Sequence, residues 1–232
     1  YVNYINNFWV PFIEHINKNN INIKVFLLLG SKPGRKRNCN LKKENMIITD
    51  TEENFIPGIL KKTIKGFEYV NERYEYKHIL RTNLSSFFII DKLIDLNNKL
   101  PIAKIYYGCG RKRLHCGAAI WFSRDVIENI ILNQDKLDYK KIDDWAIFEY
   151  IRNTEYYFNS GNTWKKITKT PRYDIVGWKI LWRKDRFNKV INQIKKGNHY
   201  HIRVVYNRDK SENNRLKDAE VTKKLTTYFY NV

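Results

Sequence analysis

His78-Ile79-Leu80-Arg81-Thr82-Asn83-Leu84-Ser85-Ser86-Phe87-Phe88 reads as a strand that runs into a polar turn. Residues 76–80 have the aromatic and β-branched content of a buried strand. Asn83, Ser85 and Ser86 then supply short hydrogen-bonding side chains where the chain leaves the sheet. Open α/β sheets bind ligands at such strand ends. The same residues also read as an ordinary strand-to-helix connection, with Ser86 capping a helix that begins at Phe87.

Upstream, residues 8–16 carry apolar side chains at helical spacing, and 21–29 alternate and then become continuously apolar, as a buried first strand does. Gly30-Ser31-Lys32-Pro33-Gly34 ends that strand, but the Walker spacing is absent, which excludes a P-loop NTPase. A second short strand, 46–49, is closed by Asp50-Thr51-Glu52-Glu53. A helix over 56–70 follows, with Pro57 in its first turn and Lys61, Lys62 and Lys65 on its wet face. The order strand, strand, helix, strand favours a mixed sheet with parallel pairs.

Downstream, a helix over 92–100 stops at Pro101, and 103–107 form a strand. Cys116-Gly117-Ala118-Ala119-Ile120-Trp121-Phe122 is a strand whose small residues admit close approach, by a substrate or by a neighbouring strand. Ser123 is placed to cap a helix over 124–132. Asp143-Asp144 opens an apolar helix; a cap accounts for one carboxylate and does not require the second. In the last third, Trp164, Trp178 and Trp182 lie among basic residues, and 187–194 and 216–230 read as helices. The stretch 200–208 reads as a late strand with His201 and Arg203 on one face and Ile and Val on the other.

A chain of 232 residues, 43% hydrophobic and 15% aromatic, sustains one sizeable core. The organisation expected is one domain over 1–205 and a basic segment with a helix over 206–232 packed on it. A first residue Tyr1 suggests excision from a longer chain. The net charge of +19, from 43 Lys and Arg against 24 Asp and Glu, attracts polyanions. The basic residues are spread along the chain, however, with no zinc-finger, KH, RNP or basic-zipper pattern to organise them on a specific nucleic acid. Arg35-Lys36-Arg37 and Arg111-Lys112-Arg113 suit a diphosphate or an anionic acceptor. Cys39, Cys109 and Cys116 are too few for a disulfide framework and lack zinc-site spacing, pointing to a reduced compartment. No apolar run reaches the roughly 18 residues of a membrane span.

The order of these pieces resembles inverting glycosyltransferases of the GT-A fold, in particular the beta-1,3-galactosyltransferase and Fringe-like group and its relatives in large DNA viruses. Glu53-Asn54-Phe55 with Ile59-Leu60-Lys61-Lys62-Thr63 is similar to that group's acidic turn and Leu-Lys-Thr helix. The strand over 76–87 is similar to the one that delivers its Asp-x-Asp metal motif. The run Cys116 to Ser123 is similar to its acceptor strand, and Asp143-Asp144 to its catalytic acidic pair. These blocks span about residues 20–155.

The resemblance implies an α/β fold: a GT-A-like mixed, mostly parallel sheet flanked by helices, in a single domain. It implies transfer of a sugar from a nucleotide-diphosphate donor, a UDP-sugar, to a hydroxyl of a glycan or glycoprotein, with inversion. Asp144 is then the general base, with Asp143 second. Donor-binding falls to Asp50, Arg81, Asn83, Ser85, His201, Arg203 and Arg208, and acceptor-binding to Cys116, Gly117 and Ala118. Asp50 either meets the uridine or ribose or caps the turn after it. The viral relatives imply a host cytoplasm.

One departure bears on the cofactor. Where the family has three aspartates after Lys-Thr, this chain has Asn83-Leu84-Ser85 after Arg81-Thr82, and the neutral oxygens of Asn83 and Ser85 suit a hard dication poorly. Either His201 helps a weaker manganese or magnesium site, or Arg81, Arg203 and Arg208 neutralise the diphosphate with no metal; the basic excess favours the second. Two other classes remain open: a basic nucleic-acid-binding protein, and a catalytically degenerate sugar-binding module.

Overall fold

The computed structural model of the chain describes residues 5–31, 42–111, 114–154, 172–175, 184–197, 199–204 and 212–231. A π-helical turn, Ile5–Trp9, leads into α1 (Val10–Lys18), then β1 (Leu27–Ser31), β2 (Met46–Glu52) and α2 (Gly58–Arg73). Next come β3 (His78–Thr82), β4 (Ser86–Phe88), α3 (Ile90–Lys99), β5 (Tyr106–Arg111) and β6 (Leu114–Ser123). The order closes with α4 (Arg124–Leu132), α5 (Asp143–Ile151), β7 (Arg172–Ile175), α6 (Lys184–Lys196), β8 (His201–Val204) and α7 (Glu212–Tyr230). The chain is thus a mixed α/β protein. None of the described helices is long and apolar enough to cross a membrane.

The strands form three small sheets: β1 beside β2, β6 between β3 and β5, and β8 between β4 and β7. β1–β2 and β7–β8 are parallel, whereas β3–β6, β5–β6 and β4–β8 are antiparallel. A mostly parallel sheet is therefore not what the described strands build. The short connection from Arg111 to Leu114 admits an antiparallel hairpin and no crossover.

β6 explains the layering. Ala119 and Trp121 join a core made by α1, α3, α6, α7, β4 and β8, while Ile120 and Phe122 join a second core made by α2, α4 and α5. Successive strand residues point to opposite faces, so a strand covered on both sides reads as one unbroken apolar run. β3 obeys the same parity: Leu80 packs on the first core and Ile79 on the second. Arg81, two residues after Ile79, is thereby aimed toward α2 and α5. The first core spans Phe8 to Tyr230, with Phe87 and Tyr230 stacked at 5.7 Å. Each such fully buried aromatic contributes about 2 kcal/mol by its apolar area.

Several local expectations shift. The first strand starts at Leu27, well inside the stretch 21–29, and β2 runs on through Asp50 to Glu52. Pro57 is the residue before α2, not part of its first turn. Ser86-Phe87-Phe88 is a strand, so Ser86 caps nothing and the helix waits until Ile90. Lys104 takes a left-handed φ of 59°, which bends the 103–107 stretch and delays β5 to Tyr106. Ser123 occupies the capping position of α4 as expected but makes no side-chain capping hydrogen bond; its hydroxyl donates to Asp125 at 2.5 Å and accepts from Ile105 N–H at 2.8 Å.

Candidate functional site

The C-terminal end of β3 lies beside the start of the Gly117–Phe122 run, because Thr82 pairs with Ala119 in the β3–β6 ladder. The N-terminus of α5 packs against the same part of the molecule, and α2 packs against α5. Three elements distant in sequence therefore deliver side chains to one place.

Arg81 is the hub. Its Nη2 donates to Asp143 Oδ2 in an ion pair, and its Nη1 donates to the carbonyl oxygen of Gly117. Asp143 is 4% exposed and also accepts from the Thr63 hydroxyl at 3.1 Å. An isolated buried carboxylate is costly, and the guanidinium with the hydroxyl is what permits this one. Asp144, partly exposed, accepts the Gly117 N–H on Oδ2 at 2.8 Å. Among the described residues it has no other hydrogen-bond or ion-pair partner. Ile142, not an aspartate, occupies the capping position of α5, and neither carboxylate caps the helix. Both leave the helix end to meet β3 and β6.

The missing side chain of Gly117 leaves room for this meeting. A Cβ built on it would collide with Arg81 Nη1 and stand 3.2 Å from Asp144 Oδ2. The close approach anticipated for this glycine is thus made by the protein's own guanidinium and carboxylate.

The polar turn is tied down from every side. Thr82 Oγ1 and Ser86 Oγ both reach the carbonyl oxygen of Ala118, at 2.6 and 2.8 Å. Asn83 Oδ1 sits 3.0 Å from the hydroxyls of Ser85 and Ser86. Trp9 Nε1 donates to the carbonyl of Leu84 at 3.3 Å. His201 is fully buried, stacks on Phe88 at 5.0 Å and places Nε2 3.0 Å from Ser86 Oγ. Arg203, partly buried, pairs across the ladder with Ser86.

Arg81, Asp143, Asp144 and Gly117 are thus joined directly, and Asn83, Ser85 and His201 are tied through Ser86 to the carbonyl of the next residue, Ala118; Arg203 is linked to this group by its ladder pairing with Ser86. Cys116 contributes β6 backbone just before Gly117. Asp50 lines a groove of about 440 Å³ with Glu52, Lys61, Lys65, Gln134 and Tyr139, and among the described residues no hydrogen bond or ion pair links it to Arg81 or Asp144. Arg208, Lys112, Arg113, Cys39, the Arg35 cluster and Trp164, Trp178 and Trp182 lie outside the described residues.

Thr63 was not anticipated as a site residue. It occupies the buried stripe of α2 with Leu60, Ile64 and Phe67. A hydroxyl inside an apolar stripe was the available sign of a buried polar partner.

Neither a protein-family model nor a curated protein sequence matches the chain.

The residues of the turn do not fit the divalent cation that the resemblance implies. Asn83 Oδ1 is turned onto two hydroxyls, and a guanidinium lies two residues before it on the same strand end. A hard dication requires anionic oxygen and is repelled by a fixed positive charge. The two carboxylates nearby are engaged by Arg81, Thr63 and the Gly117 amide.

Proposed function

We propose that the chain is an inverting glycosyltransferase on a GT-A-like domain. It moves a sugar from a nucleotide-diphosphate donor, a UDP-sugar, to a hydroxyl of a glycan or glycoprotein acceptor, without a metal ion. The observation that carries the proposal is the convergence at Gly117: the guanidinium of Arg81 in β3 grips its carbonyl, and Asp144 is held by its N–H.

Asp144 is the general base in this reading. One oxygen is oriented by the backbone amide and the group is partly open to solvent, as a base that must meet an acceptor hydroxyl has to be. The acceptor oxygen attacks the anomeric carbon while Asp144 takes its proton. The bond from that carbon to the diphosphate oxygen breaks, and the leaving nucleotide keeps the electron pair. Asp143 is unsuited to the same role because Arg81 and Thr63 hold its Oδ2 inside the protein. Arg81 is correspondingly committed to positioning. Positive charge for the departing diphosphate falls to Arg203 and, beyond the described residues, Arg208. Asn83 and Ser85 offer hydrogen bonds to the donor's ribose or sugar hydroxyls.

The test is hydrolysis and transfer from a panel of nucleotide-sugars, with manganese and with EDTA, for the wild type and Asp144→Asn. Turnover that survives EDTA, and an Asp144→Asn protein that binds UDP but does not turn over, are the expected results. A protein that ignores every nucleotide-sugar, yet binds single-stranded nucleic acid with an affinity that falls steeply with salt, would be a basic binding protein instead.

A further inference from the structure

Trp145 follows Asp144 directly and is 41% exposed. Around α5 the residues facing the core are Asp143, Ala146, Ile147 and Ile151. Asp144 flanks that stripe and Phe148, one turn on, lies on the same flank. Trp145 stands on the solvent side of both, its ring edge-on to Phe148 at 6.1 Å. The indole is held in place. Nε1 donates to Glu149 Oε1 at 2.8 Å, Glu149 Oε2 pairs with Lys141 at 2.5 Å, and Lys141 also reaches Asp138 at 3.1 Å. The Lys141 ammonium holds the Glu149 carboxyl below its usual range, so this clasp is ionised at neutral pH.

Single exposed apolar side chains are common and need no explanation. This one differs in that its polar edge is satisfied, its orientation is set by a chain of three charged groups, and it stands next to the proposed base. A fixed indole loses little side-chain entropy when a ligand settles on it. The ligand that matches an apolar plate bordered by carboxylates and an ammonium is a pyranose. Its axial C–H bonds make one ring face apolar, while its hydroxyls point outward to hydrogen-bond partners.

Resting on the transferase reading, we propose that Trp145 is the stacking platform for a saccharide acceptor. A pyranose ring lies on the indole and turns one hydroxyl toward Asp144. The acceptor is then a glycan with an accessible sugar ring, rather than a serine or threonine hydroxyl of a bare peptide.

The experiment is steady-state kinetics with a panel of mono- and disaccharide acceptors and a Ser/Thr peptide, for the wild type, Trp145→Ala and Trp145→Phe. Saccharide-observed NMR is run on the same three proteins. Removal of the indole is expected to raise the saccharide KM about tenfold while the donor KM holds, with the phenylalanine variant recovering part of the loss. An acceptor KM unchanged in Trp145→Ala, a donor KM that rises in step with it, or transfer to the peptide alone would overturn the platform. If no protein turns over a nucleotide-sugar, the transferase reading fails by itself. The NMR then decides separately: saccharide binding by the wild type that disappears in Trp145→Ala supports the platform, and a wild type that binds no saccharide removes it. Equal urea midpoints across the three proteins show that the comparison is between folded molecules.

Discussion

Replacement of Arg81 by methionine isolates the most consequential interaction in the site. The side chains of Arg81 and Asp143 are 18% and 5% exposed, so the pair is screened little by solvent. Without the guanidinium, Asp143 Oδ2 keeps only the Thr63 hydroxyl at 3.1 Å, and the Gly117 carbonyl loses its side-chain donor. Breaking a buried pair from one side costs about 3–5 kcal/mol, because the remaining charge is left without compensation. In a chain of this size each kcal/mol moves the thermal midpoint by about 2–4 °C, so a fall on the order of 10 °C is expected. The double variant Arg81→Met with Asp143→Leu removes both charges at once and is expected to recover most of the loss. Urea unfolding followed by circular dichroism on the four proteins gives the coupling free energy, expected to exceed about 2 kcal/mol. A single variant that loses less than about 1 kcal/mol, or a double variant equal to the sum of the two singles, would refute the buried-pair reasoning. Arg81→Lys should remain impaired, since one ammonium does not reproduce a fork that reaches Asp143 and Gly117 together.

Gly117→Ala is expected to cut transfer by about a hundredfold, because the new methyl displaces Arg81 and crowds Asp144; turnover at the wild-type rate in a folded variant would contradict the close approach. Ser86→Ala deprives Asn83, Ala118 and His201 of a shared hydroxyl and should cost about 1–3 kcal/mol in urea unfolding. Burial pushes the Tyr76 phenol up to about 12 and raises Tyr230 well above its ordinary value. The unfolded chain releases these protons near pH 10, before the folded one does, so their contribution is complete below about pH 10 and is lost as pH rises through the folded values. Urea midpoints of the wild type and Tyr230→Phe on either side of that pH should show a shallower alkaline decline in the variant, and parallel declines would exclude Tyr230 as a source.

Where an element carries its own signature the sequence shows it. The β6 run and the helix from Arg124 are legible because small and β-branched residues, then a helical stripe, leave no competing pattern. β4 is not, since Phe87-Phe88-Ile89-Ile90 is a continuous apolar run that fits a helix start as well as a strand. Its partner is β8, more than a hundred residues later, and nothing local announces that pairing. Strand direction is hidden for the same reason: β3 runs antiparallel to β6 across two intervening strands and a helix. At the site, the paired aspartates and the polar turn were visible as residue types. Their partners Thr63 and Gly117 come from α2 and β6, and only packing reveals those meetings.

The two adjacent aspartates show how one helix end separates two roles. Consecutive positions on α5 differ by about 100° in direction. Asp143 therefore turns inward to Arg81 and Thr63 while Asp144 stays at the rim on the Gly117 amide. Had both been exposed side by side, their like charges would have repelled one another at the helix end. Pairing the inner carboxylate with a guanidinium cancels that repulsion. It also fixes Gly117, whose N–H orients the outer carboxylate. In this arrangement Arg81 acts on Asp144 from behind, through the Gly117 peptide. A chain lacking Arg81 would have to stabilise Asp143 and seat the Gly117 peptide by other means.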